Sequence, residues 1–406
     1  MDRISAGVPG GLLSVFNLMR RLASEKNVPV FLVGGQVRDA VLEISVRDLD
    51  FVLVGDAPAL AADIADRLGG QFTVHSRFGT ATVYIEGYHV DIVTARKESY
   101  SFPGSLPETS PSDLDDDLAR RDFSINAMAL PLSGNNPKII DPFGGLKDLS
   151  DGLIRVLHSD SFADDPTRMM RAVRYEQRLG FNITVDTLLE LGQTISRGHI
   201  SAVSGDRWRQ ELYRVFWEYE SVPILIRLMQ LGILQGIHPA LTDARAVNKL
   251  LGQSEIPSSH LISALVANMN SVDGDSLSQR LNMPSDLTRI VRDTITLGGL
   301  KSSISAPDLK ISEICRILDA LEPGAIEATV RFTSEPLLSE RLIRYLREWR
   351  QLRGFLTGDD LLDMGIPSGP RIGKILRELR SALLDGLVSN MADERTLIGE
   401  IIQRGD

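Results

Sequence analysis

Cysteine is almost absent from this chain of 406 residues. Its one cysteine, Cys315, cannot form an internal disulfide or build a zinc site from several thiolates. Apolar runs long enough to span a membrane are also missing, and the N-terminal residues lack the apolar core of a signal peptide. We therefore expect a cytoplasmic protein with no membrane partner.

Positive charge is in deficit, which bears on the kind of partner. The chain has 44 Lys and Arg against 54 Asp and Glu, for a net charge of −10. This balance argues mildly against nucleic acid, because phosphate contacts normally dominate such binding. The distribution is uneven, however, with acid concentrated at residues 113–119 and arginine clustered at residues 168–178 and 341–353. The overall charge therefore does not exclude an RNA ligand.

The length and the apolar periodicity indicate several domains. Up to about residue 150, β-branched and aromatic runs alternate with amphipathic stretches, which predicts an α/β domain of strands mixed with helices. From about Ser159 onward the strand signals vanish, and apolar residues recur at helical spacing to the end of the chain. Residues 99–117 combine three prolines, few apolar residues and an acidic end, so we expect a mobile loop there.

The first candidate site is the segment at residues 31–50, FLVGGQVRDAVLEISVRDLD. It predicts a strand, a double glycine, a short helix and a second strand. Gly34 and Gly35 allow the backbone to approach a phosphate, and Arg38 can add a bidentate fork. Asp48 and Asp50 are two residues apart on a strand, so their carboxylates face the same way and suit Mg²⁺. The alternatives are an ordinary tight turn and a solvated strand end.

Further candidates lie on the next strands and turns of the same domain. Asp91 is on a strand expected beside the one with the paired aspartates, where it would complete a carboxylate trio; a surface aspartate on an edge strand is the alternative. Residues 118–130, LARRDFSINAMAL, place Arg121 and Asp122 just before a predicted apolar helix. An alternative reading makes Asp122 the N-cap of that helix and places the arginines in a solvated turn.

The third candidate is a helix predicted within residues 164–181, DDPTRMMRAVRYEQRLGF. Residues three apart on a helix lag by about 60°, so one charged side is formed by Asp165, Arg168, Arg171 and Arg174. The methionines of this segment fall on the opposite side, which we expect to pack in the core. A solvated face is the alternative for the arginines, although such faces normally mix charges of both signs.

These segments resemble motifs of the tRNA nucleotidyltransferase and poly(A) polymerase family, part of the superfamily that includes DNA polymerase beta. The resemblance is carried by LVGGQVRD, RDLDFVLVG, RRDFSINAMA and DDPTRMMRAVRY. It is specific through about residue 215, weak over residues 220–340 and moderate at the C-terminal end. One departure is Asp164, where the family's nucleotide-selecting motif has a glutamate.

The resemblance implies four parts and a set of site residues. The parts are a catalytic α/β nucleotidyltransferase head (1–150), then an all-helical neck that selects the nucleotide (151–220), a body (221–335) and a tail that binds tRNA (336–406). Asp48 and Asp50 would be catalytic and hold two Mg²⁺ ions. The implied nucleotide-binding residues are Gly34, Gly35, Arg38, Arg121, Asp165, Arg168, Arg171 and Arg174.

The implied pair Asp165 and Arg168 has a physical reason to choose between bases. A carboxylate only accepts hydrogen bonds and a guanidinium only donates them. Cytosine and adenine present an amino donor next to a ring-nitrogen acceptor, which matches this pair, whereas uracil and guanine present the reverse. A buried mismatch costs about 1–3 kcal/mol per unsatisfied group, so UTP and GTP should be poor substrates.

The function implied by the resemblance is addition of CMP and AMP, from CTP and ATP, to the 3′ end of tRNA without a nucleic-acid template or an obligate protein partner. Within the family, the alternatives are addition of CC only, of the terminal A only, or of a poly(A) tail. A non-catalytic RNA-binding homologue and a small-molecule nucleotidyltransferase are alternatives of other classes. The full-length segment at residues 99–117 favours A addition, because the resemblance implies that enzymes limited to CC have shortened it.

The arginines of the C-terminal part have two readings. They recur every third residue from Arg341 to Arg353 and wind around a predicted helix. One reading is a solvated helix, and the other is a surface that follows RNA phosphates.

Overall fold

The computed structural model describes residues 10–44, 49–75, 79–134 and 137–403. The chain divides into two compact units. The first consists of Met1–Glu211, Glu218–Glu220 and Gln230–Ile237, and the second consists of Leu212–Trp217, Ser221–Met229 and His238–Asp406. Across the described ranges, no helix is both long enough and apolar enough to cross a membrane.

The first unit is built around a six-stranded mixed sheet. Its strand order is β3-β4-β5-β2-β1-β8; β2 and β5 are parallel, and the other neighbours are antiparallel. Two small ladders join β6 to β7 and β9 to β10. The strands are β1 (Val30–Val33), β2 (Leu49–Leu53), β3 (Gln71–His75), β4 (Thr80–Ile85), β5 (Tyr88–Thr94), β6 (Arg96–Ser99), β7 (Glu108–Pro111), β8 (Ala129–Pro131), β9 (Leu153–Ile154) and β10 (Asn182–Ile183).

Helices pack on the sheet and make up most of the rest of the chain. Those up to residue 216 are α1 (Gly10–Glu25), α2 (Gly35–Val41), α3 (Ala57–Leu68), α4 (Leu114–Ala119), α5 (Gly145–Asp151), α6 (Ser161–Asp164), α7 (Arg168–Leu179), α8 (Val185–Ser196) and α9 (Gly205–Phe216). The following ones are α10 (Ser221–Gln230), α11 (Ile233–Ile237), α12 (Arg245–Asn248), α13 (Ser258–Val266), α14 (Ser271–Arg280), α15 (Ser285–Ile304), α16 (Ile311–Leu318), α17 (Pro323–Phe332), α18 (Pro336–Arg347), α19 (Gly358–Asp363), α20 (Pro370–Leu384) and α21 (Met391–Gln403).

Apolar packing and helix caps explain why the head forms as the sequence predicts. The apolar side of α1 is buried, and Phe16 packs against Phe51 of β2 with 6.4 Å between the ring centroids. Asp56 caps α3 by accepting a hydrogen bond from Ala59 N at 3.0 Å, and the helix ends at Gly69 in the left-handed conformation. The predicted α/β head with a mixed sheet is confirmed.

The segment at residues 99–117, predicted to be a loop, has regular structure in its second half. β7 pairs with β6 in an antiparallel hairpin, and α4 follows. Asp113 caps α4 by accepting a hydrogen bond from Asp116 N at 3.0 Å, and Asp117 on this helix is fully buried. The prediction of a loop is wrong over these elements, because acidic residues that look solvated in sequence form a cap and a buried ion pair. The mobility of the β6–β7 connection stays a prediction.

The apolar helix predicted after Asp122 is also wrong. A single 3-10 turn (Ser124–Asn126) leads directly into β8, which pairs with β1. On its other side, β8 exchanges backbone hydrogen bonds with Ile140, so both edges of this short strand are engaged. The apolar run therefore serves a buried strand, because the open edge of β1 offers ladder hydrogen bonds that a helix would leave unmade.

Beyond β9 and the two-residue strand β10, the remainder of the described chain is helical, as predicted. In the second unit, one apolar cluster is formed mainly by Leu297, Ile314, Leu318, Leu338, Leu342 and Trp349. Another is formed mainly by Leu361, Ile366, Ile375, Leu379, Ile398 and Ile401. The division into head, neck, body and tail stays a prediction.

Candidate active site

The double glycine forms a tight turn between β1 and α2. Gly34 has a φ of 72°, the left-handed conformation that glycine tolerates, and its N–H donates to Met128 O at 3.2 Å. A Cβ at this position would lie 2.8 Å from Nη1 of Arg121. The absence of a side chain therefore brings the guanidinium of Arg121 against the backbone of the turn.

Arg38, the predicted phosphate fork, is 5% exposed and already has protein partners. Its Nη1 donates to Asn126 Oδ1 at 2.7 Å, and its Nε donates to Asp39 Oδ1 at 2.8 Å. The guanidinium also lies over the ring of Tyr175, 5.0 Å from the centroid. Arg38 therefore connects α2 to the 3-10 turn and to α7, and its contact with phosphate stays a prediction.

The predicted carboxylate neighbours lie at the same end of the sheet. Asp48 lies outside the described residues. Asp50 on β2 is in register with Asp91 on the parallel strand β5, so the two side chains project from the same face of neighbouring strands, which lie about 5 Å apart. The strand predicted to lie beside that of Asp50 is thus confirmed. β1 pairs with β2 so that Leu32 faces Phe51, which brings the Gly34 turn beside Asp50.

The polar surroundings of these carboxylates fit a hard cation. Gln36 Nε2 donates to Asp50 Oδ2 at 2.9 Å, and Thr82 Oγ1 donates to Asp91 Oδ1 at 2.6 Å. Gln36 Oε1 and Arg121 Nε are buried and have no hydrogen-bond partner among the described residues. No cluster of three or more His, Cys, Asp or Glu side chains that could hold a metal occurs within the described ranges, which omit Asp48. Two carboxylates, an orphan amide oxygen and a predicted third carboxylate are oxygen donors of the kind that Mg²⁺ accepts.

Arg121 is oriented by a buried carboxylate. Its Nη2 donates to Asp117 Oδ2 at 2.9 Å, while Arg120 Nη2 donates to the other oxygen of Asp117 at 2.7 Å. Burial alone would raise the pKa of Asp117, but the charges and hydrogen bonds of Arg121 and Arg120 lower it below its ordinary value. Asp117 therefore stays ionised and fixes the predicted nucleotide-contacting arginine.

Asp122 does not cap a helix, contrary to one reading of the sequence. Its Oδ2 accepts from Arg171 Nε and Nη2 at 2.8 and 2.6 Å. Its Oδ1 accepts from Phe123 N and Asn126 Nδ2, both at 2.9 Å. Burial raises the pKa of Asp122, but Arg171 and Asn126 together lower it below its ordinary value. Asp122 is thus the counter-charge of a site arginine.

The arginines of α7 point to separate partners instead of forming one free charged strip. Arg168 is 6% exposed; its Nη1 donates to Ser161 Oγ at 2.8 Å and its Nη2 to Arg120 O at 2.7 Å. Arg174 donates through Nε and Nη2 to Glu218 Oε1 at 3.0 and 2.9 Å. The apolar side of α7 is confirmed as core, and its fully buried members are Met169, Met170, Ala172 and Val173.

Asp165 lies before α7 and not on it, which corrects the predicted helical strip. The helix begins at Arg168, and Asp165 has extended backbone angles of −137° and 94°. The reason is Pro166, since the residue before a proline is disfavoured in the helical region. Asp165 Oδ1 accepts from Thr167 Oγ1 at 2.6 Å and from Arg207 Nη2 at 2.7 Å.

Comparison with known proteins identifies the family. The model of the Poly A polymerase head domain matches residues 30–155. An A-adding tRNA nucleotidyltransferase of Halalkalibacterium halodurans is 33% identical over 94% of this chain and 90% of its own length. The chain belongs to the tRNA nucleotidyltransferase and poly(A) polymerase family. A relative named as an A-adding tRNA nucleotidyltransferase, from Geobacter sulfurreducens, is 31% identical over 95% of this chain, which spans 47% of that protein's length.

Solved structures of this tRNA nucleotidyltransferase family share the fold over nearly the whole chain. A CCA-adding enzyme in complex with ATP has a TM-score of 0.82 at 27% identity, covering 100% of this chain and 98% of its own. The Thermotoga maritima CCA-adding enzyme complexed with tRNA has a TM-score of 0.81 at 26% identity, covering 98% of both chains. The mixed-sheet head and the helical remainder are therefore the fold of these enzymes.

Three residues of this nucleotidyltransferase site are not predicted by the sequence. Asn126 binds Arg38, Glu218 binds Arg174, and Arg207 binds Asp165. Each partner is far along the chain, with separations of 88, 44 and 42 residues. No local periodicity connects such pairs; the only available signal is that buried arginines require a counter-charge or carbonyl acceptors.

Proposed function

We propose that the chain is a nucleotidyltransferase that adds CMP and AMP, from CTP and ATP, to the 3′ end of tRNA. The observation that carries the proposal is the in-register pair Asp50 and Asp91 beside the Gly34 turn. The guanidinium of Arg121 lies against the backbone of that turn. Family membership supports the reaction class, and the names of the structural relatives support tRNA, ATP and CTP as ligands.

In the proposed reaction, the tRNA 3′-hydroxyl releases its proton to solvent and its oxygen attacks the α-phosphorus of the nucleotide. The bond from that phosphorus to the bridging oxygen breaks, and pyrophosphate leaves with the electron pair. Asp48, Asp50 and Asp91 would hold Mg²⁺, which when bound lowers the pKa of the hydroxyl and neutralises the leaving group. Arg121, with its Nη2 fixed by Asp117, has its orphan Nε for a further acceptor. We propose that this acceptor belongs to the nucleotide.

The base would be chosen by Asp165 and Arg168. Oδ1 of Asp165 is occupied, whereas Oδ2 receives no hydrogen bond from any described residue. Arg168 uses two of its five N–H donors on Ser161 and on the carbonyl of Arg120. One acceptor and the remaining donors match cytosine and adenine, and they oppose uracil and guanine.

A second candidate is addition of the terminal A alone. Two relatives with identities of 31% and 33% are named as A-adding enzymes, whereas the two solved structures described above are named as CCA-adding enzymes. CC addition, poly(A) addition and a non-catalytic RNA-binding role remain alternatives that one assay separates. The β6–β7 hairpin and its connection are full length, which favours A addition being within the chain's capacity.

We propose that the second unit contributes to tRNA binding through a basic cavity. A cavity of about 710 Å³ is lined by Arg289, Arg350, Arg353, Arg377 and Arg380, together with Asp319. Arg380 is paired with Asp319, whereas Arg350, Arg353 and Arg377 have no carboxylate partner within the described part of the chain. Arg353 Nη1 donates to the carbonyls of Arg350 and Leu352, both at 2.9 Å. Guanidinium groups in a concavity that have no carboxylate partner suit phosphate oxygens.

The earlier residues of the arginine series have structural roles. Arg341 donates to the carbonyls of Ile304 and Ala306, the latter at 2.7 Å. Arg344 lies over the ring of Trp349, 4.8 Å from the centroid. We therefore propose that phosphate contact begins only at the end of the series, in a tail beginning near residue 336. The cytoplasmic location stays a prediction.

The decisive experiment uses tRNA transcripts that end before CCA, after C or after CC. Each is incubated with one NTP at a time, and the products are separated on a sequencing gel. The proposal expects CMP on the first two transcripts and AMP on the third. Addition of AMP to the third transcript, with no addition to the other two, would establish the A-adding alternative. If no NTP is added to any transcript, the proposed activity is refuted.

A further inference from the structure

Arg207 joins two segments of the first unit that bear on nucleotide choice. Its Nη2 donates to Asp165 Oδ1 at 2.7 Å, and its Nη1 donates to the carbonyl of Gly104 at 2.9 Å. We propose that Arg207 is a positioning residue, which holds the base-reading carboxylate of Asp165 and ties its orientation to the backbone at Gly104. The proposal rests on the proposed function of Asp165.

The carboxylate of Asp165 is held through a single oxygen. Oδ1 accepts from Thr167 N at 3.0 Å, from Thr167 Oγ1 at 2.6 Å and from Arg207. The bonds from Thr167 come from two residues along the chain, whereas Arg207 reaches Asp165 from 42 residues away. Anchoring Oδ1 from two directions restricts rotation of the carboxylate, so Oδ2 presents a fixed acceptor to an incoming amino group.

Gly104, at the other end of the bridge, has a backbone hydrogen bond of its own. It is buried, and its N–H donates to Ala163 O at 2.9 Å. Its φ is 73°, and a Cβ here would lie 3.0 Å from Cγ2 of Val203, so only glycine fits without strain. Ala163 belongs to α6, which directly precedes Asp165. Three hydrogen bonds and the backbone from Ala163 to Asp165 therefore form a closed ring that includes Gly104 and Arg207.

A guanidinium suits this bridge better than any other side chain. Its planar fork presents two Nη groups in fixed directions, so one side chain can satisfy the carbonyl of Gly104 and the carboxylate of Asp165 together. An ammonium is a compact point charge and does not reproduce that geometry. Arg207→Lys therefore keeps the charge and removes the two-ended connection.

The test measures single-turnover incorporation of CTP, UTP, ATP and GTP by Arg207→Lys and by a matched control, Arg209→Lys. Arg209 lies on the same helix, and its Nη2 donates to Asp206 Oδ1 at 2.7 Å. Arg207→Lys is expected to lower the ratio of kcat/KM for CTP over UTP by about tenfold. Arg209→Lys should leave that ratio unchanged. Equal loss with all four nucleotides, or an unchanged ratio in Arg207→Lys, would overturn the proposal.

The double variant asks whether Arg207 acts through Asp165. In an Asp165→Ala background, adding Arg207→Lys should change the CTP over UTP ratio no further, because the carboxylate that Arg207 holds is gone. A further fall in the ratio would mean that Arg207 acts on the base by another route, and would overturn the positioning role.

Hydrogen exchange gives a readout that needs no tRNA and no activity. In Arg207→Lys, amides at residues 100–108 should exchange faster than in the parent, and in Arg209→Lys they should not. Unchanged exchange would overturn the connection to Gly104. If the parent adds no nucleotide to any tRNA, the proposed function fails, and so does the base-reading role of Arg207. The exchange result then decides the structural connection alone.

Discussion

Asp50 and Asp91 occupy the same register on the parallel strands β2 and β5. Neighbouring carboxylates on one face repel each other unless a cation or hydrogen-bond donors lie near them. Gln36 and Thr82 supply such donors at 2.9 and 2.6 Å. A stable sheet does not require two such charges side by side, so we interpret the pair as the cation-binding part of the site.

Removing one of these charges should separate function from stability. Asp50→Asn is expected to reduce nucleotide addition to background, and Asp48→Ala to do the same, while the melting temperature stays constant or rises slightly as repulsion is relieved. The exposed Asp66→Asn on α3 is the control and should retain activity. Turnover that depends on Mg²⁺ and survives in Asp50→Asn would show that the metal lies elsewhere.

The Gly34 turn can be tested by comparison with a glycine that has a similar left-handed φ but no atoms near its Cβ position. Gly34→Ala places a Cβ 2.8 Å from Arg121 Nη1, whereas Gly69, with a φ of 67°, has nothing within 4 Å of its Cβ position. Both substitutions should destabilise by about 1–2 kcal/mol through left-handed strain. Only Gly34→Ala should also raise KM for the nucleotide, measured by steady-state kinetics. Equal kinetics in the two variants would refute the close approach.

The Asp122–Arg171 pair should make stability depend on acid pH. The pKa of Asp122 is lowered in the folded state, so its stabilisation is fully present above the unfolded value of about 3.9 and is lost as pH falls through the folded value. Asp122→Asn should lower the free energy of unfolding by about 2 kcal/mol at pH 7. The loss stays below that of a fully buried ion pair because Arg171 is partly exposed to solvent, which screens its charge. Denaturant unfolding should show this difference constant from pH 5 to 8 and smaller below pH 4. A difference independent of pH would contradict the ionised pair.

Shortening the connection between β6 and β7 should distinguish C addition from A addition. Deleting the exposed residues 101–103 shortens the connection and keeps both strands, the carboxylate pair and Gly104, the partner of Arg207. We expect CMP incorporation into tRNA lacking CCA to remain largely intact, and AMP incorporation into tRNA ending in CC to fall. Single-turnover assays of the two steps measure this. Equal loss of both would mean that the connection only supports the fold.

The sequence predicts elements whose signals are local. The strand, double glycine and helix around Gly34 follow from glycine conformation and apolar runs, and the position of Asp91 beside Asp50 follows from strand order. Prediction from the sequence fails where a segment distant in the chain determines the local structure. Residues 124–131 form a turn and a strand because β1 offers an open edge. The position of Asp165 outside the helix is a different case, because it follows from a local signal, Pro166, that the predicted helical strip overlooked.

The partners of the site arginines are the least predictable feature. Arg171 and Arg174 read as one charged strip, yet their acids, Asp122 and Glu218, come from 49 and 44 residues away. The local pattern of charges therefore marks these arginines as candidate site residues, but it does not predict their acidic partners. Only the packed head and the following helices bring each acid to its arginine.

We propose that the protein itself chooses the base through Asp165, and a comparison of CTP with UTP as substrates tests this role most directly. The measurement is kcat/KM for CTP and for UTP on tRNA ending before CCA, with the parent and with Asp165→Ala. We predict that the parent prefers CTP by about a hundredfold, and that Asp165→Ala loses most of this preference together with rate while tRNA affinity stays constant. If Asp165→Ala rejects UTP as strongly as the parent does, base choice lies elsewhere and the account is wrong.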